Sequence, residues 1–354
     1  MPLLRRVVAV IVLFVCVTTV FSGCQTSSEC SSTEFLLNTV CEITLYEGGD
    51  DALIEQAFSL CKEYEEKFSR TIETSEISQI NQSQGMPVTV SPETAKLINF
   101  ALQYSALTDG AFDITIGSVS SLWDFSSDTP SVPDGQTVAQ ALQTVTTEQS
   151  ETRTEPMISE TVDYRNVVVD GNTVTVPAGT QLDLGAVAKG YIADRCVEFL
   201  KENGVTRGIV NLGGNVCVIG EKAENTPWNV GIQRPFAEHT EIIGSVRVSD
   251  CSVVTSGIYE RCFEQDGVLY HHILDLKTGF PAQTDLESVT ILVASSAQAD
   301  ALSTASFLLG SEKAMDLIEQ TEGAECILIR TDGTVLLSSG IEQEGLFTPS
   351  SVTS

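Results

Sequence analysis

Three stretches of this 354-residue chain carry side chains whose types and spacing could do chemistry. In Ala299-Asp300-Ala301-Leu302-Ser303-Thr304, Asp300 and Thr304 stand four residues apart, which on a helix puts a carboxylate and a hydroxyl on one face. Two oxygens make a poor cage for a free cation. Mg²⁺, however, commonly takes few protein ligands and fills its octahedron with water and phosphate oxygens, so a phosphate ligand is the natural complement. A helix cap with an inward threonine is the plainer alternative. In Leu182-Asp183-Leu184-Gly185-Ala186-Val187-Ala188-Lys189-Gly190, small residues open a helix. Free amides and the helix dipole there favour an anion, and Lys189 adds a point charge. An ordinary strand-to-helix turn reads the same way. In Tyr270-His271-His272-Ile273-Leu274-Asp275-Leu276-Lys277-Thr278-Gly279 two imidazoles are adjacent, and neighbours in extended chain point to opposite faces. One of them is therefore structural. No third His or Cys is spaced to complete a zinc site.

Asn211-Leu212-Gly213-Gly214-Asn215 and Thr255-Ser256-Gly257 read as two further turns whose backbone could approach a ligand. The chain has no G-x-S-x-G elbow, no Walker A spacing and no strand leading into G-x-G-x-x-G, so serine hydrolase, P-loop and Rossmann chemistry lack their local features. Spacing alone does not decide on a glycosidase-like carboxylate pair. With 48 Asp+Glu against 19 Lys+Arg the formal net charge is −29, which repels a nucleic-acid backbone.

The elements that must position these residues are legible in part. Leu36 to Tyr46 reads as a strand, and Asp50 caps an amphipathic helix carrying Leu53, Ile54, Ala57, Phe58, Cys61 and Tyr64. Ser91-Pro92 opens a second helix, closed by Asp109-Gly110. Ser126 to Thr161 is rich in Ser, Thr, Glu, Pro and Gln, with one short helical piece near Val138 to Val145, and reads as an exposed insertion. Asn166 to Val176 is a hairpin around Asp170-Gly171. A helix follows the Leu182–Gly190 stretch and runs to Gly204. Strands are expected at Gly208 to Asn211, Trp228 to Gln233, Gly244 to Val248 and Glu287 to Val293. Ser295 or Ser296 caps a helix ending at Gly310, Ser311 caps the next, and a last hairpin turns at Asp332-Gly333. Strands and helices mix without regular alternation, which favours α+β.

The first 23 residues read as an export signal: Arg5 and Arg6 precede the mostly apolar run Val7 to Phe21, which is short for a membrane span. Ser22-Gly23-Cys24 resembles a lipobox, so Cys24 is expected to be lipidated and to become the mature first residue outside the cytoplasmic membrane. Residues 24–33 are then a tether, 34–348 a single domain with the insertion at 126–161, and 349–354 a tail. Eight cysteines remain: Cys30, Cys41, Cys61, Cys196, Cys217, Cys251, Cys262 and Cys326. None forms C-x-x-C, and most sit in apolar runs as small hydrophobes, while their oxidation state is not readable from spacing.

Taken in order, Gly110-Ala111-Phe112-Asp113-Ile114-Thr115-Ile116-Gly117 with Leu122-Trp123-Asp124-Phe125, Leu182 to Gly190, Asn211 to Asn215, Thr255-Ser256-Gly257 with Tyr259-Glu260-Arg261, His271 to Gly279 with Pro281, and Ala299 to Thr304 resemble the ApbE flavin transferases, from about Leu36 to Ser338. The resemblance implies a single α+β domain of mixed sheets flanked by helices, with a ligand cleft between two halves. It implies an enzyme that splits the FAD pyrophosphate and joins the FMN phosphate to a Thr or Ser hydroxyl of a target protein, releasing AMP, with Mg²⁺.

Carried over by position, the metal set is the backbone oxygen of Ala186 with Asp300 and Thr304. Flavin nucleotide contacts fall on Ala111, Phe112, Asp113, Asp183, Lys189 and Ile273, with Thr255, Ser256 and Gly257 beside them, and His272 is the catalytic histidine. The implied acceptors are exported or membrane-bound redox proteins with Asp-Gly-x-Ser/Thr-Gly-Ala-Ser/Thr, a motif this chain lacks. Two departures stand out: the long 126–161 insertion, and no counterpart near Phe68 to Ser75 of an aromatic that some members stack on the flavin. An Mg²⁺-dependent FAD pyrophosphatase and a non-catalytic flavin-binding lipoprotein are the alternatives.

Overall fold

The computed structural model describes residues 29–150, 153–238 and 240–350, with the backbone alone for 144–150 and 153–160. Residues 1–23, read above as an export signal, Cys24, His239 and the end of the tail lie outside the described residues. Eight strands form one antiparallel sheet whose spatial order is the chain order: β1 Cys30–Leu36, β2 Thr39–Glu47, β3 Arg207–Leu212, β4 Asn215–Ile219, β5 Ser252–Gly257, β6 Leu286–Val293, β7 Glu325–Arg330 and β8 Val335–Leu337. The register pairs Cys41 with Leu212, Cys217 with Ser252 and Ser256 with Val289. Five helices matter to the site: α1 Asp51–Phe68, α2 Pro92–Leu107, α3 Ala188–Glu202, α4 Ser296–Leu309 and α5 Ser311–Glu319.

Period-two alternation sends Cys41, Ile43 and Leu45 of β2, Val210 and Leu212 of β3, and Cys217 and Ile219 of β4 to one face. There they pack on Ile54, Phe58 and Cys61 of α1 and on Ile192, Cys196 and Leu200 of α3. The intervening residues Val218, Val253, Leu292 and Ile327 face the other way, against Trp228, Ile232, Val246 and Val248 of a three-stranded sheet made by Trp228–Gln233, Ile242–Val248 and Phe347–Pro349. Helices thus cover one face of the large sheet and a small sheet covers part of the other, an α+β architecture.

A separate aromatic cluster gathers Val119, Trp123, Val138 and Leu274 with Phe125, Phe263, Tyr270 and Phe280. Trp123 stacks on Phe125 with centroids 5.4 Å apart, meets Phe280 edge-on, and donates from Nε1 to the Gly279 carbonyl at 3.0 Å. Aromatic pairs of this kind are worth about 0.5–1.5 kcal/mol each beyond their buried area. The cluster ties the Gly110–Phe125 block to the hairpin Cys262–Gln265 and Val268–His271, on which the histidines sit.

Four expectations are corrected. β1 begins at Cys30, inside the stretch read as a tether, because Ser31, Ser32 and Thr33 pair with Thr44, Ile43 and Glu42 despite their polar side chains. Leu37 and Asn38 turn this hairpin at positive φ. The 126–161 insertion is not simply exposed: it holds the helix Gly135–Ala141 and a hairpin of Gln143–Ser150 with Arg153–Glu160, and Val138 is buried in the aromatic cluster. Its helix ends at Ala141, ahead of the span expected near Val145. Thr255-Ser256-Gly257 is the end of strand β5 and no turn. The Gly213-Gly214 turn, by contrast, joins β3 and β4, both glycines having positive φ.

Helices α3 and α4 are clasped by carboxylates exchanged between them. Asp194 of α3 accepts from Ser295 Oγ (2.7 Å), Ser296 N (2.6 Å) and Ala297 N (3.0 Å) at the start of α4. Asp300 of α4 accepts from Gly190 N (2.9 Å) in the first turn of α3, a helix start that no side chain of its own caps. Gly190 is what lets the helices approach, since a Cβ there would lie 2.2 Å from the Ser296 carbonyl oxygen. Asp194→Ala removes acceptors from three donors at a helix start and is expected to cost about 1–3 kcal/mol in urea unfolding. Gly190→Ala, which must push backbone apart, is expected to cost more, and a Gly190→Ala protein as stable as the wild type would contradict this packing.

Candidate functional site

The clasp places the proposed cation ligands. Gly190 is the third residue of α3, where a backbone N–H has no partner within the helix, and Asp300 takes it; Ala186 precedes the helix, so its carbonyl stands outside the helical ladder. Asp300 is 4% exposed, and with Oδ2 holding Gly190 its Oδ1 remains for another partner. Burial pushes its carboxyl pKa up, opposed by the Lys189 charge, the Gly190 N–H and the Asn215 carboxamide. One turn on, Ser303 and Thr304 reach strand β5: Ser256 Oγ lies 2.8 Å from Ser303 Oγ and 3.3 Å from Thr304 Oγ1. Thr255 points to the opposite face of the sheet, bonding Thr290 at 2.8 Å, so of the Thr255-Ser256-Gly257 triplet the side chain at the site is that of Ser256. Gly257 packs against the Tyr259 ring.

Ala186 oxygen, Asp300 Oδ1 and the Thr304 hydroxyl form an oxygen-only donor set, and among the described residues no cluster of three or more His, Cys, Asp or Glu forms a cage. A cation here must draw most of its shell from water and phosphate, which fits Mg²⁺. Asn215, 1% exposed beside Asp300, has both carboxamide polar atoms buried without a hydrogen-bond partner.

The histidines divide as alternation requires. His271, the last residue of its strand, is 4% exposed, with Nε2 3.2 Å from the Ala282 carbonyl and its ring edge-on to Phe307. It is a core histidine, and burial pulls its pKa down to about 4. His272 is half-buried, and its N–H donates to the Arg261 carbonyl at 3.1 Å. Burial and then the positive charges of Arg261 and Lys189 pull the His272 pKa down to about 3. The Lys189 charge thus acts on both His272 and Asp300.

Glu260, between Ser256 and Arg261, was not singled out from the sequence. Solvent reaches it, yet protein walls surround it; that desolvation lifts its pKa to about 7, with Lys189 and Arg261 opposing and Asp300 adding to the rise.

Other expected contacts serve the scaffold. Phe112 is buried in the main core and Ile273 in the cluster under α4 and α5, where the Ile273 carbonyl accepts from Ala282 N, so a flavin could not meet either as a side-chain surface. Ala111 is half-buried next to them. Asp113 gives Oδ1 to Thr115 N and Oγ1 (2.8 and 2.7 Å) and Oδ2 to Tyr164 N (2.7 Å), and burial raises its pKa. It is a bracket between loops. Asp183 holds Gly185 N with Oδ1, while Ser120 and Arg70 Nε meet Oδ2 at 2.7 and 2.9 Å. Arg70 lies in the segment expected to lack the stacking aromatic, and nothing local in the sequence marks it as the partner of Asp183.

The ApbE family model matches residues 37–328. The chain is 36% identical over 350 residues to the FAD:protein FMN transferase of Treponema pallidum, covering 94% of this chain and 93% of that protein. It is 37% identical over 294 residues to a protein of the same name from Klebsiella pneumoniae, covering 82% and 86%. Among solved structures it is similar to the ApbE protein of Thermotoga maritima, with a TM-score of 0.78 and 31% identity over 89% of this chain and 99% of that one.

The buried His271 makes a pH prediction. Its folded pKa is depressed from 6.5 to about 4, so between those values the unfolded chain takes up a proton that the folded chain refuses. Stability present above pH 6.5 is lost as pH falls through that window, by up to about 1.4 kcal/mol per pH unit. In urea unfolding, the stability of wild type relative to His271→Gln should shrink from pH 7 to pH 4.5; a constant difference would contradict the buried, neutral assignment.

Proposed function

The chain belongs to the ApbE family, and from that premise we propose that it is an FAD:protein FMN transferase, moving FMN from FAD to a Thr or Ser hydroxyl of a target protein and releasing AMP. The observation that carries the reading is the Asp300 carboxylate bound at the start of α3, with the Lys189 charge acting on both Asp300 and His272. A pyrophosphate is the ligand such a start attracts: the α3 dipole and Lys189 offer positive charge to it. Mg²⁺ held by the Ala186 oxygen, Asp300 Oδ1 and Thr304 Oγ1 would supply Lewis-acid neutralisation of the phosphoryl oxygens. The acceptor oxygen bonds to the FMN phosphorus, the bridging P–O bond breaks with its electron pair on AMP, and the acceptor proton passes by way of the His272 imidazole to solvent.

In this reading His272 orients that hydroxyl. With Lys189 and Arg261 uncompensated, its imidazole is neutral and a weak base. Pyrophosphate bound beside those two cations offsets them and raises its basicity when the substrate is present. The rest of the rate then comes from positioning and charge stabilisation. The N-terminal pattern, Arg5-Arg6, an apolar run and Ser22-Gly23-Cys24, supports an exported protein anchored by lipid at Cys24, with exported or membrane-bound redox proteins as acceptors.

Incubation with FAD, Mg²⁺ and a protein bearing Asp-Gly-x-Ser/Thr-Gly-Ala-Ser/Thr tests the reading. Acceptor-bound flavin plus AMP is expected; free FMN plus AMP would make the protein a pyrophosphatase, and unchanged FAD a carrier. Asp300→Ala should abolish turnover in dilute Mg²⁺ while some FAD affinity persists through Lys189 and the helix start. His272→Ala should slow transfer by roughly 10²–10⁴ with little change in FAD binding, measured by single-turnover kinetics and fluorescence titration, whereas His271→Ala should act mainly on stability.

A further inference from the structure

Asn215 poses a question that the ligand set above does not answer. It opens β4 directly after the Gly213-Gly214 turn, paired with Leu212 on one side and Val254 on the other. Alternation puts its side chain on the same face as Cys217 and Ile219, the helix-covered face of the sheet, where Ser256 two residues beyond Val254 meets α4. A carboxamide has two donor hydrogens and one acceptor oxygen, and leaving such groups buried and unpaired costs about 1–3 kcal/mol each. Among the described residues Asn215 is alone in having two buried side-chain polar atoms without a partner. The side chain is close enough to Asp300 to help hold its carboxyl down against burial, yet neither polar atom makes a protein hydrogen bond of acceptable geometry. Leucine, with the same branched arrangement of four side-chain heavy atoms, carries no polar group to leave unpaired. The Asp300 carboxylate can take only the Nδ2 hydrogens, so the buried Oδ1 acceptor needs a partner that is not protein, and Asp300 fixes where it sits.

We infer that Asn215 is a positioning residue of the cation site, its Oδ1 accepting from a cation-bound water while its Nδ2 steadies the Asp300 carboxylate. The inference rests on the reading that Ala186, Asp300 and Thr304 hold the cation. Groups that orient ligands and bound water from behind typically change metal affinity by 10–100-fold when removed. The Gly213-Gly214 turn then has a purpose beyond reversing the chain: it delivers the first residue of β4, rather than a loop atom, to the underside of the site.

The test uses the flavin-free protein and Mn²⁺ as a paramagnetic probe, with free Mn²⁺ counted by electron paramagnetic resonance. Asn215→Leu is expected to weaken Mn²⁺ binding 10–100-fold while leaving the urea midpoint of the metal-free protein equal to or above that of wild type. A merely structural asparagine would move stability and leave affinity alone. Should Asn215→Leu not fold, Asn215→Ala is measured in the same way. A Kd within twofold of wild type in the folded variant overturns the inference. So does a variant that keeps Mn²⁺ affinity but loses FAD affinity in EDTA, which would assign the carboxamide to a substrate phosphate. Asp300→Ala separates the two levels: if it loses Mn²⁺ while Asn215→Leu does not, Asn215 alone is misassigned; if it too keeps Mn²⁺, the ligand set beneath is wrong and this inference falls with it.

Discussion

Everything at the site depends on how closely α3 and α4 can lie. Gly190 removes the one side chain that would hold them apart, and the two helices then satisfy each other's starts, Asp194 for α4 and Asp300 for α3. A helix start has N–H groups with no partner of its own, so each carboxylate is bound where unsatisfied donors and a dipole favour negative charge. Because Asp300 is held through one oxygen, its remaining oxygen and Thr304 one turn along are set beside the start of α3 by a single packing decision. The site is rigid for the same reason that the helices are close.

The clasp is one case of a wider habit. Glu76 holds Ser91 at the start of α2, Asp285 holds Ser311 at the start of α5, and Glu319 and Glu325 hold Ser339 and Gly340 in the last helix. Asp113 brackets two loops through Thr115 and Tyr164. In a chain with so few basic residues, many carboxylates take backbone N–H groups as partners in place of Lys or Arg, often across long stretches of sequence. The acidic composition is therefore partly architectural, and the scarce cations Lys189, Arg261 and Arg70 stand out at the site.

What the sequence disclosed follows from locality. Asp300 and Thr304 share a helix face at four-residue spacing, and alternation separates His271 from His272, so both readings needed only neighbours in the chain. Strands with β-branched runs such as Leu286–Val293 were legible, whereas β1 was not, because its Ser and Thr residues are polar and its pairing partner supplies the reason to be extended. Thr255-Ser256-Gly257 looked like a turn by composition, but β4 and β6 on either side hold it as strand. Long-range facts left no local mark: Arg70 with Asp183, Asp194 with α4, and the surroundings that raise the Glu260 pKa. The insertion looked like solvent-exposed chain because the few apolar residues that anchor it, Val138 with Val132, Ala141 and Leu142 beside it, are scattered through a polar stretch.

The chain-order sheet has a consequence for how the molecule is made. Hairpins β1–β2 and β3–β4 close locally, but about 160 residues lie between Glu47 and Arg207, and β2 and β3 must still pair. Joining ends across a loop of that length costs roughly 4–5 kcal/mol in chain entropy before the pairing returns anything. Folding should therefore be slowest at this seam, with the edges of β2 and β3 open to wrong partners in the meantime. The long excursion contains the Gly110–Phe125 block and the start of α3, so the seam cannot close before those parts are in place. Assembly of the flavin site and completion of the sheet become the same late kinetic event, and a chain stalled before it would carry an intact C-terminal sheet with no place to bind its substrate.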